Sequence, residues 1–265
     1  MFLALLTKEL RLRFRNERSI WVLVIYVLLL GLIGIISLTT ITNGFPSSNY
    51  LSNAGRTIYY LLSIIQLLLI IFVTPAFTAS SINGEKERQT YDLLLSSQLS
   101  SFTLAGGKLL AGLMNVLVLI AATIPLFSLV FFFGGVSPRQ FGAMLVIFCV
   151  TVFLVGTTSL FLSTILRRPA ISTAIAYVIC LFWLGFPILL FSLFRDGSSI
   201  NDITTVLVNF HPLLALLSIE PIPGINTSSW LGMPSWLLFT CTSLLVTIFI
   251  FWLTTLFIRP KFFRT

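Results

Sequence analysis

Long apolar runs dominate this chain, and its charged residues fall almost entirely between them. Six runs reach the roughly 20 residues that a helix needs to cross a hydrocarbon core of about 30 Å. They are Ser19–Ile41, Ile58–Ser80, Leu109–Phe133, Phe141–Leu166, Ile171–Phe194 and Trp236–Ile258, and none contains Asp, Glu, Lys, Arg or His. The alternating segments of about ten residues that build a membrane barrel are absent. The pattern predicts an all-α integral membrane protein with six transmembrane helices, built as one domain over residues 1–265.

Pro75, Pro125 and Pro187 fall inside the second, third and fifth runs, where each removes a helical hydrogen bond and favours a kink. Gly31 with Gly34, and Gly107 with Ala111, are small pairs that permit close helix approach. Gln66, Asn115, Thr157, Thr158 and Ser159 are polar residues within runs and are expected to hydrogen-bond between helices. The 195–235 segment is partly apolar but broken by Asn209, His211 and Pro212. It reads as short helices that re-enter, or lie on, the outer membrane face, with His211 an interfacial polar residue.

Composition supports the membrane assignment. The chain is 57% hydrophobic and 9% charged, with mean hydropathy +1.04, against about 25% charged in an average soluble domain. A soluble enzyme, a nucleic-acid binder and a disordered chain are excluded. The net charge of +8 takes its meaning from where the charges lie. Thirteen of the 16 Lys and Arg flank the runs on one side, in the N-terminus, the 81–108 loop, the 167–170 turn and the C-terminus. Only Arg56, Arg139 and Arg195 lie on the other. The positive side faces the cytoplasm, so both termini are expected there. Cys149, Cys180 and Cys241 sit in apolar runs with no metal or disulfide spacing and read as small buried residues.

At the start of the chain, Leu3, Leu6, Leu10 and Phe14 share one helical face, and Lys8, Arg11, Arg15 and Arg18 another. Met1–Arg18 is therefore expected to form an amphipathic helix in the cytoplasmic headgroup layer, the alternative being plain flanking positive charge. The run that follows is too long for a cleavable signal.

Chemistry is scarce. Ion-coupled carriers place an ionisable residue in mid-membrane, and these runs have none. Gly106-Gly107-Lys108 resembles the end of a P-loop, but such a loop needs Gly five residues before its Gly-Lys pair and Ser or Thr after it. Here those places hold Phe102 and Leu109, so Lys108 is expected to anchor the membrane edge. The informative segment is the cytoplasmic loop Ile82–Leu104. A helix beginning near Glu85 places Glu85, Glu87 and Asp92 early, where its dipole favours acids. Leu93, Leu94 and Leu95 then wrap most of its circumference. Such a surface needs a partner or the bilayer, which leaves a protein-docking helix or a helix lying flat on lipid.

The stretch from Glu85 to Lys108 resembles the loop of ABC-2 type transporter permeases, whose pattern runs approximately E-R-E-x-G-T-L-E-L-L-L-x-x-P-L-S before a Gly-Lys pair. Glu85, Glu87, Thr90, Asp92, Leu93, Leu94, Leu95, Leu99, Ser100, Gly107 and Lys108 stand in register without a gap. Gln89 replaces the usual Gly and Gln98 the usual Pro. The Lys8-Glu9-Leu10 start, the six-span layout and the stretch from His211 to Leu217 are also similar to that family.

The resemblance implies the permease subunit of an ABC exporter, with no ATPase of its own and no cofactor in this chain. Two permeases, identical or different, would pair, and each would dock one ATP-binding subunit holding ATP and Mg. Docking would use a coupling helix containing Glu85, Lys86, Glu87, Arg88, Thr90, Asp92, Leu93, Leu94, Leu95 and Ser97. The helix bearing Lys8, Arg11, Arg15 and Arg18 would be the cytoplasmic elbow. His211 and Pro212 would belong to an extracellular gate. The expected location is the cytoplasmic (inner) membrane, among lipids and with no nucleic-acid partner. A Phe-rich, uncharged pathway suits an amphipathic or hydrophobic cargo such as a lipid, peptide or drug-like molecule. A non-transporting membrane scaffold and an ion-coupled carrier are the alternative readings.

Overall fold

The computed structural model describes residues 17–42, 48–89, 91, 100–193, 210–219 and 234–258. These residues form helices and turns, with no strand among them. In chain order the helices are α1 (Glu17–Thr42), α2 (Ser48–Thr78), α3 (Asn83–Glu87), α4 (Ser101–Phe133), α5 (Pro138–Ile165), α6 (Pro169–Leu193), α7 (Pro212–Leu217) and α8 (Ser235–Ile258). Five of them, α2, α4, α5, α6 and α8, are long and apolar enough to cross a membrane. The remaining expected span falls on α1, which has 26 residues and a described apolar stretch of Leu23–Ser37.

The helix ends follow from local chemistry. Ser137 and Gln140 open α5 with a reciprocal capping box. Gln140 N donates to Ser137 Oγ at 3.3 Å, and Ser137 N donates to Gln140 Oε1 at 2.6 Å. Pro138 occupies the first helical position, where its missing N–H costs nothing. Ser100 caps α4 by accepting from Thr103 N at 3.2 Å. Gly134, at φ 77°, ends α4 in a conformation that favours glycine. Both α2 and α4 begin earlier than hydropathy indicates. Arg56 thus lies within α2, and Lys108 lies within α4.

The centre of the bundle is the mutual contact of α2, α4 and α5, with α8 packed chiefly on α5, α1 on α2 and α4, and α6 on α5 and α2. Leu67, Leu113, Met144, Phe148 and Leu160 are fully buried there. Lipid tails are as apolar as leucine, so close packing is a main source of helix association. Two glycines provide it. A Cβ on Gly112 would stand 2.7 Å from Thr78 Cγ2 and 3.4 Å from the Phe77 carbonyl oxygen, and one on Gly156 would stand 2.3 Å from Leu113 Cδ2. Among the described residues, no close approach is made at the expected Gly31/Gly34 notch. A Cβ on Gly31 would meet nothing within 4 Å, and one on Gly34 only the Leu62 side chain at 3.9 Å.

Among the polar residues expected to join helices, Gln66 does so: its Nε2 donates to Thr123 Oγ1 at 3.1 Å, linking α2 to α4. Thr157 and Thr158 instead donate to carbonyls of their own helix. The buried Asn115 Nδ2 and Ser159 Oγ have no partner among the described residues. Pro75, Pro125 and Pro187 lie inside α2, α4 and α6 as expected.

Candidate functional site

The five-residue α3 is far below the length at which a helix is stable alone, so its shape must be imposed by neighbours. Three long helices impose it. Ile82 at its N-terminus supplies no side-chain cap. The hydroxyl of Ser163, on α5, takes that role, accepting from Ile82 N at 3.0 Å and Asn83 N at 3.1 Å. Ile82 N is the N-cap donor and Asn83 N the first of the N–H groups that have no acceptor within the helix, and Ser163 satisfies both. On α6, the fully buried Ser172 donates to the Ala79 carbonyl at 2.9 Å, fixing the turn that leads into α3. On α4, Lys108 Nζ donates to Glu85 Oε1 in an ion pair, with the lysine side chain only 5% exposed and the glutamate 23%.

Lys86 adds a second contact to α5. Its ammonium donates to the Thr164 carbonyl and lies 5.3 Å from the centre of the Tyr91 ring, within cation–π range. Burial pulls its pKa below the ordinary lysine value, and the nearby Arg167 charge lowers it further. Asn83 is fully buried, and neither atom of its amide has a partner among the described residues. Glu87 and Arg88 are exposed. Polar bonds thus tie this turn to α4, α5 and α6.

Two expectations are corrected here. Lys108 is not a membrane-edge anchor: the earlier start of α4 carries it into the bundle, onto Glu85. The only sequence signal for this was one basic residue preceding an apolar run beside an acidic loop. The helix expected to run from Glu85 into the leucines is interrupted. It ends at Glu87, and Gln89 adopts φ 57°, a left-handed conformation that costs a non-glycine residue free energy. This is the position where the resembling pattern carries Gly. Thr90, Asp92, Leu93, Leu94, Leu95 and Ser97 lie outside the described residues, as do Lys8, Arg11 and Arg15. Arg18 lies within α1.

At the opposite ends of these helices, His211 and Pro212 open α7. His211 is fully buried rather than interfacial. Its Nδ1 accepts from Leu214 N at 3.3 Å, capping α7, and its Nε2–H donates to the Leu184 carbonyl at 2.9 Å. That pairing requires the neutral ring. Burial lowers the histidine pKa, with the Leu184 hydrogen bond opposing in part. Pro187 removes the N–H that would reach the Trp183 carbonyl four residues back, and His211 binds the carbonyl of the next residue, Leu184. Beside it, Trp183 Nε1 donates to the Phe210 carbonyl at 3.2 Å. Below, Ala215 packs with Ile147 of α5 and Phe239 of α8. The structure thus keeps His211 and Pro212 together, at the far end of the bundle from Glu85.

No curated protein matches the chain. The family model described as ABC-2 family transporter protein matches residues 36–257. That span takes in α2 to α7, nearly all of α8 and both polar clusters. The chain belongs to the ABC-2 family of transporter proteins, as a multi-pass transmembrane transport subunit.

Proposed function

We propose that the chain is the permease subunit of an ATP-driven exporter and receives its power stroke through the 82–100 loop. In this reading it crosses the cytoplasmic membrane six times, with both termini inside. It pairs with a second permease, and each docks one separate ATP-binding subunit that holds ATP and Mg. The 26 residues of α1, about 39 Å at 1.5 Å each, are sufficient for the sixth crossing. The uncharged runs suit an amphipathic or hydrophobic cargo.

One observation carries the reading: the turn 79–87 is held by side chains of three different long helices, through Lys108, Ser163 and Ser172. A loop that only joined two spans would not need this. A loop that must transmit force would, because slack between partner and bundle would dissipate the stroke.

The test is purification of the tagged full chain in mild detergent, with partners identified and counted. The expected result is a P-loop ATPase near one-to-one. It should be lost in Leu94→Asp, where a charge is forced into a docking surface without a partner. A chain recovered alone, or an ATPase retained and still driving transport in Leu94→Asp, would refute the proposal.

A further inference from the structure

A cavity of about 290 Å³ opens between α5, α6 and α8. Its wall includes Leu154 and Thr158 of α5, Cys180, Phe182 and Phe186 of α6, and Val246 of α8. At 1.5 Å per residue, each lies within about 10 Å of the midpoint of its own helix. In a hydrocarbon core of about 30 Å, that is the depth of lipid tails and not of head groups. The rim faces outward, with Phe182 62% exposed and the adjoining Leu245 69% exposed.

The lining offers a ligand nothing but hydrocarbon contact. The Thr158 hydroxyl is taken up by the Leu154 carbonyl at 3.0 Å and the Val155 carbonyl at 2.8 Å, and no lining residue is charged. A polar or charged group placed here would lose its hydrogen bonds to water without replacement. The size is also selective. A cavity of about 150 Å³ takes one benzene, so this one has room for about a dozen carbons, the end of a chain rather than a whole amphiphile.

Part of the wall is held by contacts to other elements. The Trp183 indole is tied to the Phe210 carbonyl and stacks on Phe239 at 6.5 Å. The next residue, Leu184, is held through its carbonyl by His211. Phe182 and Phe186 stack on each other at 4.7 Å, and Pro187 lies within the same helix just beyond them. Ordinary contact with mobile lipid needs no such preformed recess.

We propose that this recess is a binding site for the end of one lipid acyl chain, entering sideways from the bilayer and held at fixed position. The inference rests on the membrane crossing of α5, α6 and α8 and not on the ATP-driven reading.

The full chain would be placed in phosphatidylethanolamine/phosphatidylglycerol vesicles containing a phospholipid with a diazirine near the end of one acyl chain. After illumination, adducts would be mapped by mass spectrometry. Labelling of the peptide spanning Cys180 to Pro187 is expected to exceed, several-fold, that of the stretch from Ile248 to Trp252 on α8, where Ile248, Phe249 and Trp252 are exposed like Phe182. Thr158→Trp, which fills the recess, should remove the excess, and Val246→Phe should do so from the α8 side if the first variant does not fold. Equal labelling of the two peptides in the unmodified chain would overturn the proposal, as would an excess that survives filling. A probe carrying the diazirine on its head group should give no excess at Cys180 to Pro187; an excess there would also overturn it.

Discussion

Replacing Lys108 with Met keeps most of the side-chain volume and removes the ammonium that holds Glu85. Two unit charges about 4 Å apart attract by about 4 kcal/mol at an effective dielectric near 20. Removing one member of a buried pair costs about 3–5 kcal/mol, because the other has given up its hydration. Glu85 retains 23% exposure, so water restores part of that hydration and the expected loss falls to about 2–3 kcal/mol, or about 30- to 150-fold in the folded-to-unfolded ratio. Glu85→Gln should lose less, since the amide still accepts a hydrogen bond. The double variant Lys108→Met/Glu85→Gln should recover at least about 1 kcal/mol relative to the sum of the singles. Unfolding in mixed micelles, measured for all four proteins, gives the cycle. Amide exchange at Asn83–Glu87 should accelerate in the single variants more than exchange in the middle of α5. Single variants within about 0.5 kcal/mol of the parent and additive in the double would refute the view that this ion pair holds the loop.

Three further predictions follow from local geometry. Gln89→Gly removes the strain of a left-handed glutamine and should stabilise the loop by about 0.5–1 kcal/mol, read as slower exchange of the loop amides; Gln89→Val should accelerate it. Gly156→Ala places a methyl 2.3 Å from Leu113 Cδ2 and should cost about 1–3 kcal/mol, with Leu113→Val as partial rescue in the same unfolding assay. The pKa of His211 is lowered by burial, so its contribution to stability is full above its ordinary value of about 6.5 and is lost as pH falls from there through the lower folded value. His211→Ala should flatten that acid limb and cost about 1 kcal/mol at neutral pH through the lost cap; an unchanged acid limb would remove His211 as its source.

The spans were legible because hydropathy over twenty residues is a sum that no single residue can mask. Their ends were less so. Hydropathy cannot register that Ser100 and Ser137 cap helices, or that α4 continues back over Lys108 as an ordinary helix. The acids and leucines of the 82–104 loop are plain in the sequence, but its internal break depends on one dihedral angle at Gln89. What binds that loop was invisible for a different reason. Ser163 and Ser172 are unremarkable serines in apolar runs, and only the packing of α5 and α6 brings them to Ile82, Asn83 and Ala79. The same holds for the notches at Gly112 and Gly156, which stand outside the small-residue pairs Gly31 with Gly34 and Gly107 with Ala111 and are defined only by the atoms that face them. His211 was noticed for being the single histidine, yet its burial and its hold on Leu184 required the return of the chain onto α6.

The cap on α3 also sets an order of events during synthesis. The donors at Ile82 and Asn83 wait for a hydroxyl 80 or more residues downstream. At about 5–20 residues per second, that is a delay of about 4–16 seconds in which the ribosome has released the loop but not its clasp. Until α5 has been made and packed, the turn at Ile82 and Asn83 lacks the hydroxyl that accepts its two N–H donors, so the shape of α3 is completed by a part of the chain that is made later.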